Sequence, residues 1–538
     1  MRHLRRLGLL STLLPCFAFG QAGASLSGGV QIELRSYRAD SAIGAPAVPE
    51  RLGLNAYVPL SYRLGPFTAS LRYEAYLEPL QGYDRRYAGS GIALRSLDYQ
   101  DERFQLTVGG FYEQFGSGMV LRTYEERLLG IDNGLEGVRL RYNGPGIRLT
   151  GFVARQRRFF EWTGLIRGAD VELTPSAWGI GALLGIETPL SWQLGASAVS
   201  KYQPDTDPLY RLPENVLTYA LRGSWQWGSW RLTAEWAYKY NDPSALNGYS
   251  YNPGTGLYVT LAGELAPVSF LLQAKRIDNM AFYSDRTASG TVSVLNYLAP
   301  LSRQQTYRLA TLYAYATQPG GEIGIAAEAI IALPEQSLVG GEGGGTLTLS
   351  YSRIHGLDTV HTGELRYRSP FPGIGRQLYL EELVAEHTVS WTPRLRSTVN
   401  LTRQVYNRDV SEGVRGYGLI WTWIAIADIA YTFAPRQTVR AELQHLWTRQ
   451  DRGRWLFTLL EYSLAPHWAV TLWDEYNYGN PDRSARFHYP GAAMTLLLQR
   501  FKLTLGYGRQ RAGIVCVGGV CRYMPAANGL SLSVTATL

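Results

Sequence analysis

"LRGSWQWGSWRLTAEWAYKY", Leu221 to Tyr240, decides how the rest of this chain is read. Side chains alternate across the two faces of an extended strand, so every second residue shares a side. On the first arm Leu221, Trp225 and Trp227 share a face, with Arg222, Ser224 and Gln226 behind them. Gly228-Ser229 turns the chain. On the second arm Trp230, Leu232, Ala234, Trp236 and Tyr238 share a face, backed by Arg231, Thr233, Glu235 and Lys239. One side of this hairpin is suited to oil and the other to water.

The same alternation recurs along the chain. Val30, Ile32 and Leu34 alternate with Gln31, Glu33 and Arg35, and Leu71 and Tyr73 with Arg72 and Glu74. Val138, Leu140 and Tyr142 oppose Arg139 and Arg141, and "NGPG" leads into Ile147, Arg148 and Leu149. Leu530, Leu532, Val534, Ala536 and Leu538 close the chain. The connections alternate too. Short turns such as "LGP", "YQDE", "NGPG", "ETPLS", "WGSW", "LAPV", "QPGG" and "WTPR" are interleaved with long polar segments such as "QPDTDPLYRLPEN" and "NDPSALNGYSYNPG". One sheet running up and down, trimmed at one end and elaborated at the other, produces that rhythm. A series of soluble β-sandwiches would also alternate, but would show boundaries between modules.

Composition agrees. Tyrosine (36), tryptophan (14) and glycine (58) are abundant, as strands and turns require. No apolar run reaches the ~18 residues of a membrane helix. The basic start "MRHLRR", the apolar run "LGLLSTLLPCFAFG" and small residues at "QAGAS" form a secretory signal over residues 1–24, with cleavage expected after Gly20 or Ala24. Residues 25–538 then form one domain. Its mild positive excess is spread out rather than massed, so no nucleic-acid partner is expected. Lysine occurs only at 201, 239, 275 and 502. Taken as a trait of composition, that scarcity points to no function.

The pattern resembles the outer-membrane β-barrels of Gram-negative bacteria: porin-like proteins or other large barrels. The resemblance implies an all-β, transmembrane, antiparallel up-and-down barrel of about 24–26 strands, with short periplasmic turns and long external loops. It places the protein in the cell outer membrane, its outward face on lipid and its inward face on polar solutes. Trp225, Trp227 and Trp230 then form part of an aromatic belt at the periplasmic interface. Residues 332–376 leave the strand count open by one hairpin. The final strand ends on Leu538 where that pattern usually ends on an aromatic. Strands begin soon after the cleavage site, leaving no room for a separate plug domain.

The most distinctive interruption is "FYEQFGSGMVLRTYEERLLGIDNGLEG", Phe111 to Gly137. It carries Arg122, Glu125, Glu126, Arg127 and Asp132 within a stretch able to form one or two helical turns. Folded inward, it would make a charged constriction; left outside, it is a solvated rim loop. Glu33, Arg35, Arg63, Arg72, Glu74, Arg139, Arg141, Arg148, Arg222, Arg231 and Glu235 are expected to line the lumen, either as a polar path or, more simply, as cross-strand pairs stiffening the wall. "CVGGVC" places Cys516 opposite Cys521 across a Gly-Gly turn, close enough for a disulfide in an oxidising compartment. No metal site, cofactor or catalytic motif is expected, and the chain reads as no enzyme. A barrel this wide would leak if empty, so the segments Phe111–Gly137, Phe160–Ser176, Ala281–Gln304 and Ala332–Arg376 are expected to fold inward. The function expected is a passive or gated channel for polar solutes. The alternative is a secretion or surface-assembly component whose lumen holds another envelope protein, and an outer-membrane hydrolase is the least favoured reading.

Overall fold

A computed structural model describes residues 23–179 and 191–538. The expected signal segment and most of the "ETPLS" turn lie outside the described residues; Ala24 opens the first strand, Ala24–Ser36. A single 24-stranded antiparallel sheet closes on itself. The last strand, Ala527–Thr537, pairs with the first at Val30↔Ala536 and Leu34↔Leu532, and with Phe501–Gln510 at Leu505↔Leu532. Closure leaves no strand edge with unpaired backbone groups, the condition for a sheet to span hydrocarbon.

The opening hairpin forms as written. Trp227 pairs with Trp230 and Leu221 with Trp236, and Gly228 supplies the left-handed conformation (φ 56°) that its turn needs. Around the outer wall large apolar residues stand exposed, among them Leu140, Leu221, Leu383, Leu401, Leu460, Leu472 and Leu505. A water-soluble protein does not present so continuous an apolar face; a lipid-facing barrel must. Trp225, Trp227, Trp421, Trp423 and Trp468 are exposed on the same wall, while Trp230 packs edge-on against Phe270 at 4.8 Å between centroids.

Three expectations need correction. Phe160–Ser176 is not an inward loop: Glu161–Leu173 is a barrel strand, joined to Ile147–Arg158 by a two-residue turn. Within Ala332–Arg376, residues 334–344 form a turn at the periplasmic rim and Gly345–Leu357 is another barrel strand. The uncertain hairpin there, Val360–Gly363 with Arg366–Arg368, stands in an external loop and adds no strand to the barrel. "QPGG" is the exit of the long external segment 279–320, not a periplasmic turn.

The inner wall changes character along its height. Toward the periplasm it is wet, with exposed Arg63, Gln226 and Arg231. Hydroxyl pairs link neighbouring strands there: Ser61–Ser70 at 3.2 Å, Thr388–Thr398 at 3.1 Å and Thr432–Thr438 at 2.9 Å. Toward the outside it is closed off from solvent, with apolar residues set among buried polar ones such as Gln156, Gln444 and Glu475. Ile166, Val199, Val216, Ile277, Ile354 and Leu446 point inward and are fully buried. Something fills the lumen at that level.

Candidate functional site

Two segments of the chain itself fill it. The first, residues 112–134, folds inward as two small hairpins, Gln114–Phe115 with Leu121–Arg122 and Glu125–Glu126 with Ile131–Asp132, plus a single 3-10 turn at Arg127–Leu129. Its Phe115, Met119, Val120 and Leu121 are buried against Phe152, Ile166 and Ala237 of the wall. The backbone N–H of Ser117 donates to Glu235 at 2.7 Å, and Arg139 and Arg141 reach Glu113 at 3.3 and 2.6 Å.

The charged residues of this segment lie against partners. Arg72 reaches Glu74 at 2.7 Å and Glu125 at 3.0 Å, and also pairs with Asp132; Arg157 pairs with Asp132 and, at 2.6 Å, with Glu74. Oxygens of Glu74, Glu125 and Asp132 meet within 4.8 Å, the spacing of a metal centre, but each carboxylate is already paired with Arg72, and two of them also with Arg157. Arg127 reaches Glu125 at 2.7 Å and lies 4.0 Å over the ring of Tyr57. Glu126 caps the 3-10 turn through Leu128 N–H at 3.0 Å. Arg122 stacks 4.0 Å over Tyr297.

The second segment, residues 279–320, lies across the lumen. Near its start, Gln156 and Asn133 donate to the Val294 carbonyl at 2.7 and 2.9 Å. Further on, Arg303 pairs with Glu386 at 2.7 Å, the Leu309 N–H donates to Gln444 at 2.7 Å, Arg308 pairs with Glu475, and Tyr313 donates to Asp451 at 2.9 Å. Glu386, Gln444 and Glu475 belong to strands two, five and seven places beyond Gly321–Leu333 in the 24-strand sheet, and Asp451 to the external loop that follows the strand of Gln444. The segment also carries its own apolar face: Leu295, Leu301 and Leu309 are buried against inward wall residues such as Ile166, Ile354 and Leu446. A long loop of this kind inside a compact fold is a functional signal.

Lysine holds it down. Lys201 donates to the Tyr283 carbonyl at 2.6 Å, Lys239 to the Ala281 carbonyl at 2.5 Å, and Lys275 to the Ala299 carbonyl. Lys201 and Lys275 are neutralised by Asp242 and Glu322 at 2.7 and 2.6 Å. Three of the four lysines in the sequence therefore serve one segment. Each occupies an inward position near a strand's external end, the signal that composition alone conceals.

From above, the hairpin Gly513–Val517 with Val520–Met524 leans onto the segment. Cys516 and Cys521 are joined as a disulfide, Cα atoms 4.1 Å apart. At its tip the Gly518 N–H donates to Gln304 at 2.8 Å, the Gly518 carbonyl accepts from Tyr297 at 2.8 Å, and the Gly519 carbonyl accepts from Thr317 N–H at 3.1 Å. A Cβ on Gly519 would meet Pro300 and Thr317 at 2.8 Å, so glycine is what allows this approach. Above the segment lies a vestibule of about 790 Å³, lined by Tyr124, Tyr283, Tyr297, Tyr313, Asp451 and Arg522. Burial pushes Tyr124 and Tyr283 up to about 12, so both are neutral hydroxyls.

The remaining lumen candidates form the wall. Arg222 reaches Asp170 and Glu172 at 2.8 and 2.7 Å over the intervening strand Ser191–Tyr202, and Arg148 also pairs with Glu172. Arg231 bonds Gln226 at 2.8 Å, Arg35 bonds Gln510 and Glu33 accepts from Gln31 at 3.2 Å, while Arg63 turns toward the Gly65 carbonyl.

A model of the "Family of unknown function (DUF6029)" matches residues 5–538. No curated protein matches the chain. Among solved structures, the ferric enterobactin receptor of Pseudomonas aeruginosa, as a mutant, is 12% identical with a TM-score of 0.45, over 96% of this chain and 81% of that one. The translocation pore of the P pilus usher is 10% identical with a TM-score of 0.43, over 95% and 99%. A BenF-like porin from Pseudomonas fluorescens Pf-5 is 11% identical with a TM-score of 0.36, over 80% and 99%. At such values these similarities say nothing of solute or mechanism.

Proposed function

Because the chain belongs to DUF6029, whose description carries no activity, we propose its function from the geometry: a gated channel for polar solutes across the outer membrane, closed by its own segment 279–320. The observation that carries this reading is the contrast in the lumen, wet toward the periplasm and packed like a protein interior where the segment docks. A passive pore has no use for a dry core across its mouth. The loop 112–134, with its paired charges, acts as the seat on which the segment rests. Solutes enter the tyrosine-lined vestibule and pass when the segment lifts. A partner protein held in the lumen is the weaker reading, because the chain's own residues already occupy that space.

Planar-bilayer recording tests the proposal. The intact protein is expected to be mostly silent, with rare large openings, and a variant with residues 282–317 replaced by a short Gly-Ser link is expected to conduct steadily. Equal, steady conductance of both forms would overturn gating by this segment. Silence of a correctly folded deletion variant would overturn the channel reading itself.

A further inference from the structure

The outer wall carries a feature the channel does not use. Arg155 and Arg167 lie on adjacent strands and point away from the lumen, since Arg167 pairs in register with Val153 and Arg155 with Glu136, outward positions both. Both arginines are exposed. Their neighbours Arg157 and Arg158 are paired, with Glu74 and Asp285; among the described residues Arg155 and Arg167 have no such partner. The nearby outward Glu136 is taken by Arg95 at 3.0 Å. An unpaired cation on the lipid face of a barrel is tolerated at headgroup depth and not in the hydrocarbon. Arg155 lies three residues from its strand's external end, and Arg167, level with Val153 and six residues from its own, has a side chain long enough to extend outward to the same level.

Directly toward the periplasm from these arginines the wall is indented. Gly151, Ala169 and Ala198 stand side by side in register across three strands. Leu140, Leu149 and Val171 flank them, forming an apolar groove of about 570 Å³ on the lipid-facing surface. A Cβ on Gly151 would meet nothing within 4 Å, so the groove is open space and not a packing necessity.

We propose that this face binds one anionic phospholipid of the outer leaflet, its phosphate between Arg155 and Arg167, uncompensated by any cationic headgroup, and an acyl chain in the Gly151–Ala169–Ala198 groove. Charge complementarity names the occupant: guanidinium forks match phosphate oxygens, and the apolar trough below fits a hydrocarbon chain and no peptide backbone. Lipid of this chemistry is what surrounds a barrel at that depth.

The test uses native mass spectrometry of the full-length barrel in detergent, titrated with dioleoylphosphatidylglycerol or dioleoylphosphatidylcholine. One tightly retained phosphatidylglycerol is expected. R155Q/R167Q is expected to lower its affinity roughly thirty-fold, about one decade and a half for two surface arginines. Gly151→Trp fills the groove while leaving both arginines in the chain, and is expected to weaken the same lipid while leaving heat-modifiable migration, the mark of a folded barrel, unchanged. Equal retention of both lipids, or full retention by R155Q/R167Q, would overturn the site. So would displacement of the lipid by millimolar inorganic phosphate, because the groove would then contribute nothing.

Discussion

Leu309→Ala is the sharpest single test of the closed lumen. Leu309 is wholly buried, and its backbone N–H is bonded to Gln444 of the wall, so truncating the side chain keeps that bond while opening a void beneath the segment. Buried Leu→Ala changes cost about 2–5 kcal/mol. Here the low end applies, because the undocked segment is a loop in a water-filled lumen that can partly re-cover its apolar face. About 2 kcal/mol taken from the docked state alone raises the open fraction roughly thirty-fold, at about 1.4 kcal/mol per decade. Planar-bilayer recording reads this directly as open probability, with single-channel amplitude unchanged. Leu338→Ala, at a site 97% exposed on a periplasmic turn, is the control expected to change nothing. If Leu309→Ala folds normally and gates like the parent, segment 279–320 is not the barrier.

Three further outcomes follow from the same geometry. Leu460→Arg, mid-strand on the lipid face, is expected to destabilise the barrel by about 2–4 kcal/mol in urea unfolding from vesicles, whereas Ser463→Arg on the lumen face is tolerated. Reducing Cys516–Cys521, or C516S/C521S, frees a hairpin whose closed loop is worth at most about 2 kcal/mol, and is expected to raise open probability with no change in barrel melting, because the hairpin tip holds Gln304 and Thr317. Asp285 lies on the segment; burial raises its pKa, but bonds from the Thr287 N–H and hydroxyl and the charge of Arg158 outweigh that and hold it below its ordinary 3.8. Of these, docking supplies the wall partner Arg158, whose pairing stabilises the docked state fully above the ordinary value and is lost as pH falls through the lowered one. Openings should therefore increase only below about pH 4 and shift toward neutrality in no buffer, and D285N should remove this acid response.

The barrel was legible because lipid outside and water inside impose a period of two on nearly every strand, as in Val138–Tyr142 and Trp230–Tyr238. What fills the barrel was not. Where the segment docks, the wall inverts: Ile166 faces in, buried against the inward loops, and Arg167 faces out. That inversion makes Glu161–Leu173 look like a polar loop. Arg157, which bridges Glu74 and Asp132, stands beside a register shift between Ala154 and Gln156 that strict alternation does not foresee. The segment itself has no period to read. Its place is set by Lys201, Lys239 and Lys275, whose meaning depends on where three different strands end.

Because the segment's two stems leave from paired positions, Asp278 and Gly321, while its anchors extend as far as Glu475, its docking is complete only once the strand Trp468–Tyr476 has joined the wall. Until that strand is in place, a growing wall holds its strap by only part of its bonds. The order in which the chain is synthesised therefore puts the strap ahead of the strands that must hold it, so its seat is built around it and not before it.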